Sequence, residues 1–242
     1  MKKFFIYGKH PIFLALQNKK REFYEILTSN IKELNDFIDK NNIKINKNII
    51  KYRDNKELNK ITNENHQGYI AYVSEKKPEN FLDFLSEHKN EKILPKLLIL
   101  DQLTDPHNIG AIIRTAVAFG VKDIIITRDN SILDSATIVK SSAGMSEFVN
   151  LIEVVNLNNA IEDLKNIGYF VVGLAGEGKT NLNTINNSEN LCLVVGNEGK
   201  GIRSLVKKNC DILCRIEIDS SVESLNASVA TAISIYQLWG KK

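Results

Sequence analysis

Only three cysteines, four prolines and one tryptophan occur among the 242 residues. Cys192, Cys210 and Cys214 are odd in number and form no C-x-x-C, so neither a disulfide framework nor a zinc site is indicated, and small buried thiols are expected. Long apolar runs are also missing. Stretches such as KLLIL and LCLVV fall far short of the ~20 residues that span a bilayer, and the opening MKKFFIYGKHPIF lacks a long apolar segment with a cleavage site. A cytoplasmic protein with no membrane attachment is expected. Neither sign of charge dominates: the formal net charge is +3, with 25% charged and 43% hydrophobic residues, which is ordinary globular usage and excludes a disordered or fibrous chain.

What charge there is lies unevenly. Residues 1–77 carry 16 Lys and Arg against 9 Asp and Glu, a net of +7, whereas residues 93–242 carry 14 against 16. A basic first third suits a phosphate backbone, although a solvated lysine-rich face accounts for the charge equally well.

Short elements alternate in that first third: HPIFLALQN and IKELNDFIDKN have helical spacing, while EFYEILTS, IKINKNIIK and GYIAYVSE read as strands. Residues 1–76 therefore form a small α/β module. Residues 77–92, polar and opened by a proline, read as a linker with one short helix at FLDFLSE. From residue 93 the rhythm becomes strand, loop, helix. Strands are expected at KLLIL, DIIIT, FVNLIEV, YFVVGL, LCLVVG and ILCRIEI, and helices at IGAIIRTAVAFG, DSATIVKSSAG, NNAIEDLKNIG, GIRSLVKKNC and LNASVATAISIYQLWG. Continuous apolar strands alternating with helices predict an α/β fold with a mostly parallel sheet covered on both faces.

The string GLAGEGKT, Gly173 to Thr180, fits the phosphate-loop pattern G-x-x-x-x-G-K-[ST]. That pattern works only when a helix N-terminus follows and helps to surround the phosphates. Here Thr180 is followed by NLNTINNSEN, in which five of ten residues are Asn, a turn-forming composition. A loop between two strands is expected, and nucleotide triphosphate binding is set aside. A glycine-rich loop at the carboxyl end of a parallel strand remains a good place for another ligand.

Three further motifs carry chemistry. LDQLTDPHNIGAIIRTAVAFG places Asn108 at the mouth of a helix and Arg114 six residues on. VVGNEGKGI sets glycines around Asn197 and Glu198, and RIEIDSSVESLNASVATAI ends in a small-residue helix start with Ser224 and Asn226. Each also has a plain structural account: a helix cap, a tight turn and a second cap.

In this order, near the carboxyl terminus, the three motifs resemble those of the SpoU family of S-adenosylmethionine-dependent RNA 2′-O-ribose methyltransferases. N-x-G-x-x-x-R-x-x-x-x-F-G stands complete as Asn108, Gly110, Arg114, Phe119 and Gly120. The second motif stands as Gly196, Glu198 and Gly199, and the third as SLNAS from Ser224 to Ser228. IYGKHPIFLAL and NHQGYIAYV are similar to strings of the substrate-binding domain found in the 23S rRNA guanosine methyltransferase branch.

The resemblance implies that residues 93–242 form a methyltransferase domain ending in a deep trefoil knot, a topology that pattern reading alone prunes away. It further implies S-adenosylmethionine as donor, held by Leu174, Gly196, Ile216 and Leu225, and no metal. Arg114, Asn108, Glu198, Ser224 and Asn226 are the implied catalytic set, with Arg114 acting on the ribose and Glu198 as its charge partner. Partners implied are 23S rRNA, bound by the basic N-terminal domain and methylated at the ribose of a guanosine in the peptidyl-transferase region, and a second copy of the chain. A tRNA substrate, or RNA binding without catalysis, is the alternative. One departure stands out: where the family commonly has Pro-Met-x-Gly, this chain has Glu217, Ile218, Asp219 and Ser220, and the acids Glu217, Asp219 and Glu223 are expected to face solvent.

Overall fold

A computed structural model describes residues 4–127, 135–185 and 190–240. In chain order the elements are β1 (Phe4–Tyr7), α1 (Lys9–Ala15), β2 (Phe23–Thr28), α2 (Ile31–Lys40), β3 (Ile50–Tyr52), α3 (Asn55–Asn59), β4 (Tyr69–Val73), β5 (Glu79–Asn80) and α4 (Phe81–His88). They continue with β6 (Leu97–Asp101), α5 (Pro106–Ala118), β7 (Asp123–Thr127), α6 (Ala136–Ser141), β8 (Asn150–Val154), α7 (Leu157–Asn166) and β9 (Phe170–Leu174). The last are β10 (Thr180–Asn181), β11 (Leu191–Gly196), α8 (Ser204–Asn209), β12 (Ile212–Arg215) and α9 (Ala227–Trp239).

Two compact units result: residues 1–76 with 133–148, and residues 77–132 with 149–242. In the first, a four-stranded mixed sheet runs β1-β4-β2-β3, with β4 antiparallel to both neighbours and β3 parallel to β2. The sequence places residues 133–148 with the carboxyl-terminal domain, but the structure groups them with this unit. Val139 of α6 lies in one core with Ile6, Ile12 and Ile26. The fully buried Glu147 carboxylate takes Arg21 Nη2 at 2.9 Å and Asn18 Nδ2 at 2.8 Å. Breaking such a buried pair by removing one partner costs about 3–5 kcal/mol.

Unit 2 is an eight-stranded sheet, β10-β12-β9-β11-β6-β7-β8-β5, and every pairing in it is parallel. Strands β6, β7 and β11 are buried along their whole length, because helices cover both faces and each strand is one continuous apolar run. Residues 77–92 differ from the expected linker: β5 adds an edge strand beside β8, and Phe84 of α4 enters the core with Ile152 and Val154.

Local chemistry explains the other differences. IKINKNIIK gives a strand only at Ile50–Tyr52, because Asn46 accepts the Asn48 N–H and turns the chain into a 3-10 turn first. Strand β1 and helix α3 go unforeseen, although Asp54 and Glu57 form a reciprocal capping box at the start of α3. The helix expected from Asp134 is seen from Ala136, and Asp134 itself lies outside the described residues. Burial raises the Cys210 thiol to about 12 and Cys214 to about 11, so both stay protonated near neutral pH.

Candidate active site

Helix α5 starts two residues before Asn108. Asp105 is the N-cap, accepting the His107 N–H at 2.9 Å, and Pro106 fills the first turn. The Asn108 amide is therefore not consumed as a cap. Its Nδ2 donates to Glu198 Oε1 at 2.9 Å, while its Oδ1 accepts from Asn226 Nδ2 at 3.1 Å. Asn226 does cap α9: its Oδ1 accepts from Ser228 N at 2.9 Å and Ser228 Oγ at 2.6 Å. Glu198, Asn108 and Asn226 thus form one hydrogen-bonded relay linking a loop, α5 and α9.

The loop bearing Glu198 is fixed by its own backbone. Asn197 and Gly201 exchange two hydrogen bonds of 3.1 and 2.8 Å, and Asn197 Nδ2 reaches the Gln102 carbonyl at 2.9 Å. Just beyond it, the fully buried Asp101 carboxylate at the end of β6 accepts from Arg203 N at 2.9 Å and Arg203 Nε at 2.7 Å. A Cβ on Gly196 would lie 2.2 Å from both Gly201 C and Ile202 N, so only glycine lets β11 pass so close to the returning loop.

At the carboxyl ends of the adjacent strands β9, β11 and β12 lies an open-mouthed pocket, the place where open α/β sheets bind ligands. Leu174, Ile216 and Leu225 line it together with Gly196, so all four expected donor-binding residues lie at one pocket. Glu198, Ser224 and Glu223 line it as well. An apolar slot, a wall where backbone replaces side chain, and carboxylates suit a ligand with a flat apolar part and a positive charge.

GLAGEGKT forms part of this pocket through Leu174, Ala175 and Gly176. The Ala175 N–H is spent on the Cys214 carbonyl at 2.9 Å and the Gly178 N–H on the Ala175 carbonyl at 2.9 Å. Thr180 leads into the two-residue β10 and a 3-10 turn at Leu182–Thr184, so the helix a phosphate loop needs is absent from residues 180–185; residues 186–189 lie outside the described residues.

Arg114 stands apart from the relay. It is exposed, and it makes no hydrogen bond or ion pair among the described residues. Glu198 is accordingly not its charge partner here but Asn108's acceptor. The reason is helical geometry: six residues at 3.6 per turn carry Arg114 about 120° round the helix from Asn108 and roughly 9 Å along it. Ser224 is exposed at the pocket rim. Sequence reasoning missed Asn197, Asp101 with Arg203, Ile218 and Glu223. The glycines flanking Asn197 and the strand-end position of Asp101 were the available signals. Glu217 and Asp219 are exposed as expected, but Glu223, although exposed, lines the pocket. Asp219 Oδ1 accepts from Ser221 N at 2.9 Å and Ser221 Oγ at 2.6 Å, forming the turn without proline or glycine.

Comparison with known proteins gives two family matches: the SpoU rRNA Methylase family over residues 95–236, and RNA 2′-O ribose methyltransferase substrate binding over residues 5–79. The chain is 36% identical to an uncharacterized tRNA/rRNA methyltransferase of Synechocystis over 98% of its own length, and spans 62% of that relative's. It is 41% identical to the 23S rRNA (guanosine-2′-O-)-methyltransferase RlmB of Pseudomonas aeruginosa, covering 77% of this chain and 75% of that one. Among solved structures, the SpoU methyltransferase AviRb from Streptomyces viridochromogenes in complex with the cofactor AdoMet superposes with a TM-score of 0.79 at 22% identity, over 98% of this chain and 89% of that one. This last likeness is one of fold.

Proposed function

We propose that this chain, which belongs to the SpoU family of RNA 2′-O-ribose methyltransferases, uses S-adenosylmethionine to methylate the ribose of a guanosine in the peptidyl-transferase region of 23S rRNA. The observation that carries the proposal is the pocket formed by Leu174, Gly196, Ile216 and Leu225, with the Glu198–Asn108–Asn226 relay at its edge. When bound, S-adenosylmethionine would supply an electrophilic methyl group on a sulfonium for a ribose 2′-hydroxyl, and Leu174, Gly196, Ile216 and Leu225 would hold it.

The chain's own residues position the reactants. Leu174, Ile216 and Leu225 cover a flat base, and the Gly196 backbone approaches the ligand without a side chain between. Asn108 holds Glu198 and the α9 cap at fixed separation, and Ser224 offers a hydroxyl at the rim. The Arg114 guanidinium, a planar fork of N–H donors with no acceptor, stabilises developing negative charge on the ribose oxygen and pairs with an RNA phosphate rather than acting as a base.

Unit 1, basic in its sequence and matched over residues 5–79 to a substrate-binding family, takes the RNA. A second copy of the chain packs on α9, whose Val229, Ile233 and Tyr236 form an exposed apolar stripe at i, i+4 and i+7. Unit 2 carries the trefoil knot of its family. Among the described residues no helix is long and apolar enough to cross a membrane, and the cytoplasm, where ribosomal RNA is made, is the proposed compartment.

A tRNA substrate is the second reading, favoured by the tRNA/rRNA name of the Synechocystis relative. Mapping ribose methylation in 23S rRNA and tRNA from cells with and without the gene separates the two. Loss at one 23S guanosine supports the rRNA proposal; loss confined to tRNA replaces it.

A further inference from the structure

We propose that Glu223, with Glu198, makes the pocket read the charge of its occupant, favouring the cationic methyl donor over S-adenosylhomocysteine, the product left after transfer. The inference rests on S-adenosylmethionine being the ligand of this pocket. Among the described lining residues, Glu198 and Glu223 are the only charged side chains. Of the cations in neighbouring loops, Lys207 pairs with Glu177, Arg203 with Asp101, and Arg215 Nη1 donates to the Gly178 carbonyl at 2.9 Å, while the exposed Lys179 and Lys200 are not among the lining residues. One Glu198 oxygen is taken by Asn108, whereas Glu223 has no hydrogen bond or ion pair among the described residues. The Asp219–Ser221 turn lies in the same segment as Ile218 and Glu223, both on the pocket wall.

The donor has a sulfonium, an ammonium and a carboxylate, a net charge of +1. Breaking the S–CH3 bond leaves its electron pair on sulfur, so the product has a net charge of zero. Two carboxylates in a pocket whose described lining includes no cation therefore attract donor more than product, and the attraction lapses as the methyl group leaves. Ligand exchange is thereby biased toward release of product. Because both carboxylates are solvent-exposed, the effect is modest, roughly three- to tenfold in the ratio of affinities.

Calorimetric titration of the full chain with S-adenosylmethionine, S-adenosylhomocysteine and sinefungin, whose amine restores a positive charge near the sulfur position, tests this in wild type and Glu223→Gln. The expected result is that Glu223→Gln weakens S-adenosylmethionine and sinefungin about threefold or more and leaves S-adenosylhomocysteine within twofold, and that added salt erodes the wild-type preference. Equal weakening of all three ligands, or an unchanged ratio, overturns the inference while leaving the donor site in place. If wild type binds none of them, the donor assignment itself falls and the inference with it.

Discussion

Asn108 and Glu198 stand 90 positions apart and meet through one hydrogen bond of 2.9 Å, from the Asn108 amide to the Glu198 carboxylate. The same amide's oxygen accepts from Asn226, so a single side chain ties α5, the Glu198 loop and the N-cap of α9 together. Asn108→Ala removes both links. Methyl transfer is expected to fall roughly 10- to 100-fold, the equivalent of about 1–3 kcal/mol, with the donor Kd within about threefold. Asn108→Asp, which sets a second carboxylate against Glu198, is expected to fall further. Single-turnover rates on the three proteins check the order.

Gly196→Ala attacks the pocket from its backbone. The added methyl would sit 2.2 Å from Gly201 C and Ile202 N, so the 197–201 loop must move. Donor affinity measured by calorimetry is expected to drop more than about tenfold, with a lower melting temperature. An affinity within twofold of wild type would mean that the loop shifts without disturbing the site.

Lys179→Ala tests the demotion of the phosphate-loop motif. Lys179 is exposed, the Ala175 and Gly178 N–H groups of the preceding loop are spent on backbone carbonyls, and no α-helix follows within residues 180–185. Unchanged donor affinity and activity are expected, and no heat of binding with ATP for wild type or variant. ATP binding by wild type that disappears in the variant would restore the motif.

His66 gives the first unit a pH dependence. Its Nδ1 accepts the Gly68 N–H at 3.0 Å and its Nε2 faces Asn59 Oδ1 at 2.8 Å, which fixes the neutral ring. Burial, with a smaller contribution from Lys140, holds its pKa below the ordinary 6.5. The unfolded chain then takes up the proton at higher pH than the folded one. The stability so contributed is present above about pH 6.5 and is lost as pH falls through the folded value. Urea midpoints at pH 7.5 and 5.5 are expected to differ more for wild type than for His66→Gln.

Legibility in the sequence followed how local each cause was. DIIIT and LCLVVG match β7 and β11 residue for residue, since a strand buried on both faces is simply an apolar run. Asn108 was placed at a helix mouth, but the Asp105–Pro106 start moved it inside α5 and freed its amide. The grouping of residues 133–148 with the first unit depends on Arg21 meeting Glu147 across 126 positions, which no pattern of spacing contains. The pocket residues Leu174, Gly196, Ile216 and Leu225 came from family resemblance, and the structure brings all four together. Glu223 was expected in solvent, and its place on the pocket wall depends on the turn built by Asp219 and Ser221.

The central claim is that the unpartnered guanidinium of Arg114 serves ribose methylation of RNA. Purified wild type and Arg114→Ala are incubated with labelled S-adenosylmethionine and 23S rRNA lacking its ribose methyl groups, and donor affinity is measured on the same preparations. Methylation of one guanosine ribose by wild type, with Arg114→Ala slowed at least about 100-fold and its donor Kd within threefold, is the predicted result. A near wild-type rate in Arg114→Ala would contradict it.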